Sequence, residues 1–195
     1  MAQKENPIFR QMGASSHTDK ERQKEDFYAT DPVAADWLLK LVDLPKDKPI
    51  WECSAGEDHL ANVFREHDYE VRSSDIVKRL PTTEIMDFMQ QDEEWDGSIV
   101  TNPPYNIATK FVEKALQTVT RGNYVCMFLK IQFLEGKERK NLFKKYPPKF
   151  VCVTSSRLSC AMNGDFEKYP SSAVAYAWFI WEKGYMGDTI LKWFN

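Results

Sequence analysis

The residues best equipped for chemistry are Asn102, Pro103, Pro104 and Tyr105. Asn102 offers an amide oxygen, and the Pro103 carbonyl in a stiff turn offers a second acceptor on the same side. Together they can accept both hydrogens of a planar –NH2 group, while Tyr105 supplies an aromatic face for a planar ring. Acceptors beside a stacking platform suit a nucleobase or an amide; the plain alternative is a proline turn with a packed tyrosine. The apolar pair Ile99 and Val100 predicts a short buried strand leading into this corner. Neither strand nor helix continues through Pro103 and Pro104, which lack donors and fix φ. Asn102, before a proline, is pushed to extended backbone. The corner therefore closes the carboxyl end of a strand, where open α/β sheets bind ligands.

Other carboxylates stand at comparable places. Pro49 to Cys53 reads as a strand with Glu52 near its end, Ser54 to Asp58 as a turn, and His59 to His67 as a helix. Gly56 lets backbone approach a ligand closely. Glu70 to Ser74 reads as a second strand with Asp75 just past it, nineteen positions after Gly56. That spacing suits a carboxylate accepting from a ribose diol, or else a helix cap or surface charge. Asp87 interrupts the apolar segment Ile85 to Met89 and reads equally as a turn aspartate.

The remaining elements must hold these groups in place. Thr30 or Asp31 can cap a helix with Pro32 in its first turn, and Val33, Ala34, Trp37, Leu38 and Leu41 share one face. Ile107, Phe111, Val112, Ala115, Leu116 and Val119 predict a second amphipathic helix, closing at Gly122. Asn123 to Phe133 is almost continuously apolar, as a central parallel strand should be. Lys130 breaks that run, at a pocket rim or as a snorkelling side chain. Lys137, Arg139, Lys140, Lys144, Lys145 and Lys149 stand against one acid, Glu138. They read as a nucleic-acid contact or as the solvated face of a helix. Phe150 to Thr154 and Ala173 to Trp181 read as strands, with a loop holding Arg157, Lys168 and an Asn163-Gly164-Asp165 turn between them. Trp193 and Phe194 form an aromatic tail expected to pack back.

The chain has 195 residues and a formal charge of −3, so any approach to nucleic acid depends on a local basic patch. Residues 1–26 read as a polar N-terminal arm and 27–195 as a single domain. Cys53, Cys126, Cys152 and Cys160 are widely spaced, and three lie in apolar runs, which fits buried free thiols in a reducing compartment. No metal-ligand spacing is seen among the histidines. Without a signal peptide or an apolar run of membrane length, the expected location is the cytoplasm.

Asn102-Pro103-Pro104-Tyr105 after a strand resembles the catalytic motif of S-adenosylmethionine-dependent amino-methyltransferases. Its companions are Trp51 to Leu60, Ser73-Ser74-Asp75, Phe133-Leu134-Glu135-Gly136 and Ala175 to Phe179. The ordered set is similar to phage-type DNA N6-adenine methyltransferases, from about Phe27 onward. The resemblance implies a Rossmann-like seven-stranded sheet, mostly parallel with an antiparallel last strand and helices on both faces. It implies S-adenosyl-L-methionine as cofactor, held by Tyr28, Thr30, Pro32, Glu52, Ser54, Gly56, Asp75, Asp87, Phe88 and Asn102. In such enzymes Glu52 would stand beside the cofactor's amino group, Asp87 would accept from its adenine amine and Phe88 would pack on the ring. It implies DNA as partner, with the target adenine flipped onto Tyr105 and with Lys137, Arg139, Lys140, Arg157 and Lys168 as substrate contacts. No metal or membrane role is implied, and there is little room for a target-recognition insertion. The family usually has a second glycine where this chain has Asp58, whose carboxylate would weaken cofactor binding, cap the next helix or meet the cofactor's ammonium. RNA adenine or protein glutamine as substrate, and a non-catalytic binding protein on this fold, remain alternatives.

Overall fold

The run from Tyr124 to Lys130 forms a strand whose side chains divide cleanly between two faces. Val125, Met127 and Leu129 join one buried cluster with Trp51, Ile99, Phe179 and Trp181. Cys126 and Phe128 join another with Ile50, Val100, Cys152, Trp178 and Ile180. Such alternation with both faces buried requires a sheet covered on each side. The computed structural model describes residues 28–156, 158, 160–162, 166–167 and 174–194. The arm at 1–26, Arg157, Lys168 and the turn at 163–165 lie outside the described residues.

The strands are β1 (Tyr28–Thr30), β2 (Ile50–Glu52), β3 (Val71–Asp75), β4 (Glu84–Ile85) and β5 (Ser98–Thr101), then β6 (Tyr124–Lys130), β7 (Phe150–Thr154), β8 (Cys160–Met162), β9 (Tyr176–Glu182) and β10 (Ile190–Phe194). The helices are α1 (Val33–Leu41), α2 (His59–Glu66), α3 (Ala108–Thr118) and α4 (Arg139–Lys145). Helices α1 and α2 cover the face of Phe128, whereas α3 and α4 cover the face of Met127. Each fully buried aromatic or aliphatic side chain contributes about 1.5–3 kcal/mol. The Asp31 carboxylate starts α1, accepting from the Val33 N–H at 3.1 Å, as its position before Pro32 predicts.

One sheet has the order β10-β7-β9-β6-β5-β2-β3-β4. Strands β4, β3, β2, β5 and β6 are mutually parallel, while β9 runs antiparallel between β6 and β7. Seven of the eight strands thus make the expected mostly parallel sheet with an antiparallel seventh. The difference lies at the C-terminal tail, which adds β10 as a parallel edge strand on β7. Phe194 does pack back, edge-on to Trp37 at 5.5 Å. A two-stranded antiparallel sheet joins β1 to β8, pairing Thr30 with Cys160. The chain runs outward from β2 through β3 to β4, then returns to β5 on the other side of β2. The order therefore reverses between β2 and β5, the switch point at which doubly wound sheets bind ligands.

Candidate active site

Glu52, Asp75, Asp87 and Asn102 all sit at or just beyond the carboxyl ends of adjacent parallel strands, β2, β3, β4 and β5. Residues far apart in the chain therefore share one sheet edge, with Glu52 and Asn102 flanking the switch point.

Glu52 is buried, with 1% of its surface exposed. Its Oε1 accepts from the Ser54 N–H at 3.4 Å, the Thr101 hydroxyl lies beside the carboxyl, and Oε2 makes no well-aligned hydrogen bond among the described residues. Burial pushes the Glu52 carboxyl up to about 8; the Thr101 and Ser54 donors pull it down, and the Asp58 and Asp75 charges add to the rise. At neutral pH this environment favours the neutral acid. The glycine turn is tied to the next strand twice. The Gly56 N–H, at φ +55, donates to Asp75 Oδ2 at 2.9 Å, and the Ala55 N–H donates to the Ser74 carbonyl at 3.0 Å. Asp75 Oδ1 accepts from the Val77 N–H, so the carboxylate is fixed at the end of β3.

Asp58 adopts the left-handed backbone a glycine would favour, at φ +60. Its side chain neither caps α2 nor stands as a lone charge. Asp58 Oδ2 pairs with Arg65 Nη1 at 2.8 Å, and Arg65 Nη2 reaches Ser73 Oγ at 2.6 Å. The Asp58 charge is thus met from within α2.

At the corner, Asn102 Nδ2 donates to Thr30 Oγ1 at 2.8 Å. This bond joins β1 to the end of β5 and orients the amide, so that acceptance falls to Oδ1. Pro103 is buried and Pro104 exposed. Pro104 leads into a short 3-10 turn, Tyr105–Ile107, and then α3. The Tyr105 ring is half-buried, its centroid 6.1 Å from that of Tyr176, and its hydroxyl faces Cys160 Sγ at 3.9 Å. Burial holds its phenol well above the usual value.

Several predicted residues are engaged within the fold. Phe88 lies in the core against Phe111 and Trp51, at 4.8 and 5.3 Å. Asp87 Oδ1 accepts from the Met89 N–H at 2.9 Å, which shapes the turn after β4. The Arg139 guanidinium is spent on the carbonyls of Gln132 and Glu135 and stacks on Phe133, while Lys137 and Lys140 are exposed. Pro32 is the N-cap of α1, and Tyr28 is placed by its backbone in β1. Arg65 escaped sequence reasoning, although its spacing of seven from Asp58, two helical turns, was a usable signal. Ile76, directly after Asp75, is 67% exposed. Among the described residues, no cluster of His, Cys, Asp and Glu is arranged to hold a metal, and no helix is long and apolar enough to cross a membrane.

No protein-family model matches the chain, and no curated protein matches it in sequence. Solved structures do. The type IIG restriction endonuclease BpuSI superposes with a TM-score of 0.60 at 16% identity, over 84% of this chain and 26% of that one. An S-adenosylmethionine-dependent O-methyltransferase from Thermotoga maritima gives 0.57 at 11%, over 80% and 67%. The 23S rRNA methyltransferase ErmE gives 0.54 at 17%, over 80% and 67%. The chain has the Rossmann-like methyltransferase fold. It spans about a quarter of the endonuclease, and at these identities the likeness is one of fold. Within this methyltransferase fold, the β2 to β5 switch point is occupied by Glu52, Gly56 and Asn102.

Proposed function

We propose that the chain transfers a methyl group from S-adenosylmethionine to the exocyclic amine of adenine in DNA. The observation that carries this reading is the Asn102 amide, oriented by Thr30 at the end of β5 beside a half-buried Tyr105. The cofactor's residues fit its chemistry. Glu52 offers a buried, unsatisfied carboxyl oxygen for its ammonium, the Asp75 carboxylate suits its ribose hydroxyls, and Ile76 gives an apolar wall for its adenine. When bound, the cofactor supplies an electrophilic methyl group on a sulfonium.

The target amine cannot be reached inside a duplex, so the base is flipped out. Tyr105 stacks on it, while Asn102 Oδ1 and the Pro103 carbonyl accept from its two hydrogens. That draws the nitrogen lone pair out of conjugation with the ring and aims it at the methyl carbon. Catalysis is then positioning and electrostatics, with no covalent intermediate on the protein. The exposed Lys137, Lys140, Lys144 and Lys145 give DNA a local cationic face on a chain of net charge −3. In this reading 27–195 acts as one domain, and the four free thiols suit the cytoplasm of a bacterial or phage-infected cell.

The test is transfer of labelled methyl groups to unmethylated DNA, with RNA and bulk protein in parallel and digestion to nucleosides. Label in N6-methyladenine from DNA supports the reading, and label elsewhere moves the substrate. Asn102→Ala should lower turnover by about 100-fold or more while sparing cofactor binding. Full turnover in that variant would refute the mechanism.

A further inference from the structure

We propose that Lys130 binds the phosphodiester of the nucleotide whose base is presented to Tyr105, so that the site selects a nucleotide over an amide in protein. This rests on the reading of Asn102 to Tyr105 given above. Lys130 is the last residue of β6, paired in register with Tyr176. Its ammonium lies over the Tyr105 ring, 4.9 Å from the centroid. Lys48, Arg65, Arg72, Lys114 and Lys149 all pair with carboxylates, but among the described residues none pairs with Lys130. It lies instead against an aromatic face.

That arrangement is loose and competitive. An ammonium over a phenol ring is worth about 0.5–1 kcal/mol at a half-exposed site, so it is easily displaced. A stacking base needs the same ring. The displaced cation then requires an anion, and a nucleotide brings one, joined through its own sugar. A glutamine side chain brings the amine but no anion. Lysine suits the task because its compact charge rides on a flexible stem. The chain after Lys130 makes the 3-10 turn Ile131–Leu134 and reaches the exposed Lys137 and Lys140. The exposed acids Glu135 and Glu138 stand among those lysines in the chain, so the assignment rests on Lys130 and its place over the Tyr105 ring.

The experiment uses an oligonucleotide in which the methylated adenine has been mapped, and the same strand with one neutral methylphosphonate linkage beside that adenine. For the wild type, the neutral linkage should lower kcat/KM about tenfold or more. Lys130→Ala should lose about tenfold on the native strand and less than about twofold further on the neutral one, as expected for two groups in direct contact. Lys130→Gln, which keeps the stem without the charge, should behave like the alanine variant, and Lys130→Arg should recover most of the activity. Loss of the charge should also reduce the slope of log KM against log salt by roughly 0.7–0.9. An equal penalty for the neutral linkage in wild type and Lys130→Ala overturns the assignment while leaving the methyltransferase reading intact. If RNA proves the better strand, the same comparison on RNA decides. If the wild type labels neither strand but labels protein amides, the substrate reading fails and the assignment falls with it.

Discussion

Glu52→Gln isolates the acid buried at the switch point. Glutamine keeps the shape of the side chain but cannot ionise. In the unfolded chain Glu52 titrates at its ordinary value of 4.5, whereas the folded protein holds its proton up to about 8. The contribution of Glu52 to stability is therefore fully present below pH 4.5, declines as pH rises, and levels off above about 8. Between those limits the unfolded state has one fewer bound proton than the folded state, so stability falls by about 1.4 kcal/mol per pH unit from this group. The gap of about 3.5 pH units between 4.5 and about 8 corresponds to about 5 kcal/mol in all. The assay is urea unfolding of both proteins from pH 5 to 8.5 without cofactor, taking wild type minus variant at each pH so that other titrating groups cancel. The difference should run steadily against the wild type through neutrality and flatten above about pH 8. Parallel stability curves would refute the reasoning, because they would mean that Glu52 is solvated or paired in the folded chain.

Cofactor binding should reverse the sign. A bound cation favours ionised Glu52, so S-adenosylmethionine affinity should rise with pH up to about 8, and calorimetry in buffers of different ionisation heat should detect proton release in wild type but not in Glu52→Gln. Thr30→Val removes the hydroxyl that orients Asn102 and should lower kcat about tenfold, read from steady-state kinetics. Arg65→Ala leaves the Asp58 carboxylate buried, at 2% side-chain exposure, without its partner. With Arg65 itself one-third exposed, the loss should be about 2–3 kcal/mol by denaturant titration. Asp58→Gly removes that charge and suits the left-handed backbone, and should stay within about 1 kcal/mol of wild type by the same titration.

The sheet was legible wherever burial imposed a pattern. Phe150 to Thr154 matches its strand to the residue, whereas the run Asn123 to Phe133 overreaches: β6 ends at Lys130, and Ile131–Leu134 forms a 3-10 turn although it is still apolar. Contacts between distant segments were not legible. The β1 to β8 pairing joins two three-residue strands about 130 positions apart, which is too little chain for any periodicity. Strand β10 was read as a tail because Ile190, Leu191 and Trp193 are exposed, so its sequence shows no buried face. Asp87 and Phe88 have contacts within the chain that the sequence does not reveal: Phe88 packs on Trp51 and Phe111, and Asp87 holds the turn after β4. Likewise, the basic stretch gave its charge count plainly but not that Arg139 is spent on backbone carbonyls.

Strand β9 also governs when the protein can become whole. It hydrogen-bonds to both β6 and β7 and separates them, yet it is made after both. Synthesis from Lys130 to Glu182 takes 52 residues, about 3–10 s at the usual rate of translation. For that interval the inner edge of β6 has no partner, the inner edge of β7 joins it once residue 154 is made, and Phe128 and Met127 lack the neighbours Trp178 and Phe179 that β9 brings. The centre of the sheet thus closes late, with only the edge strand β10 still to come. A nascent chain paused in that window would present a long apolar edge, the kind of surface that chaperones hold.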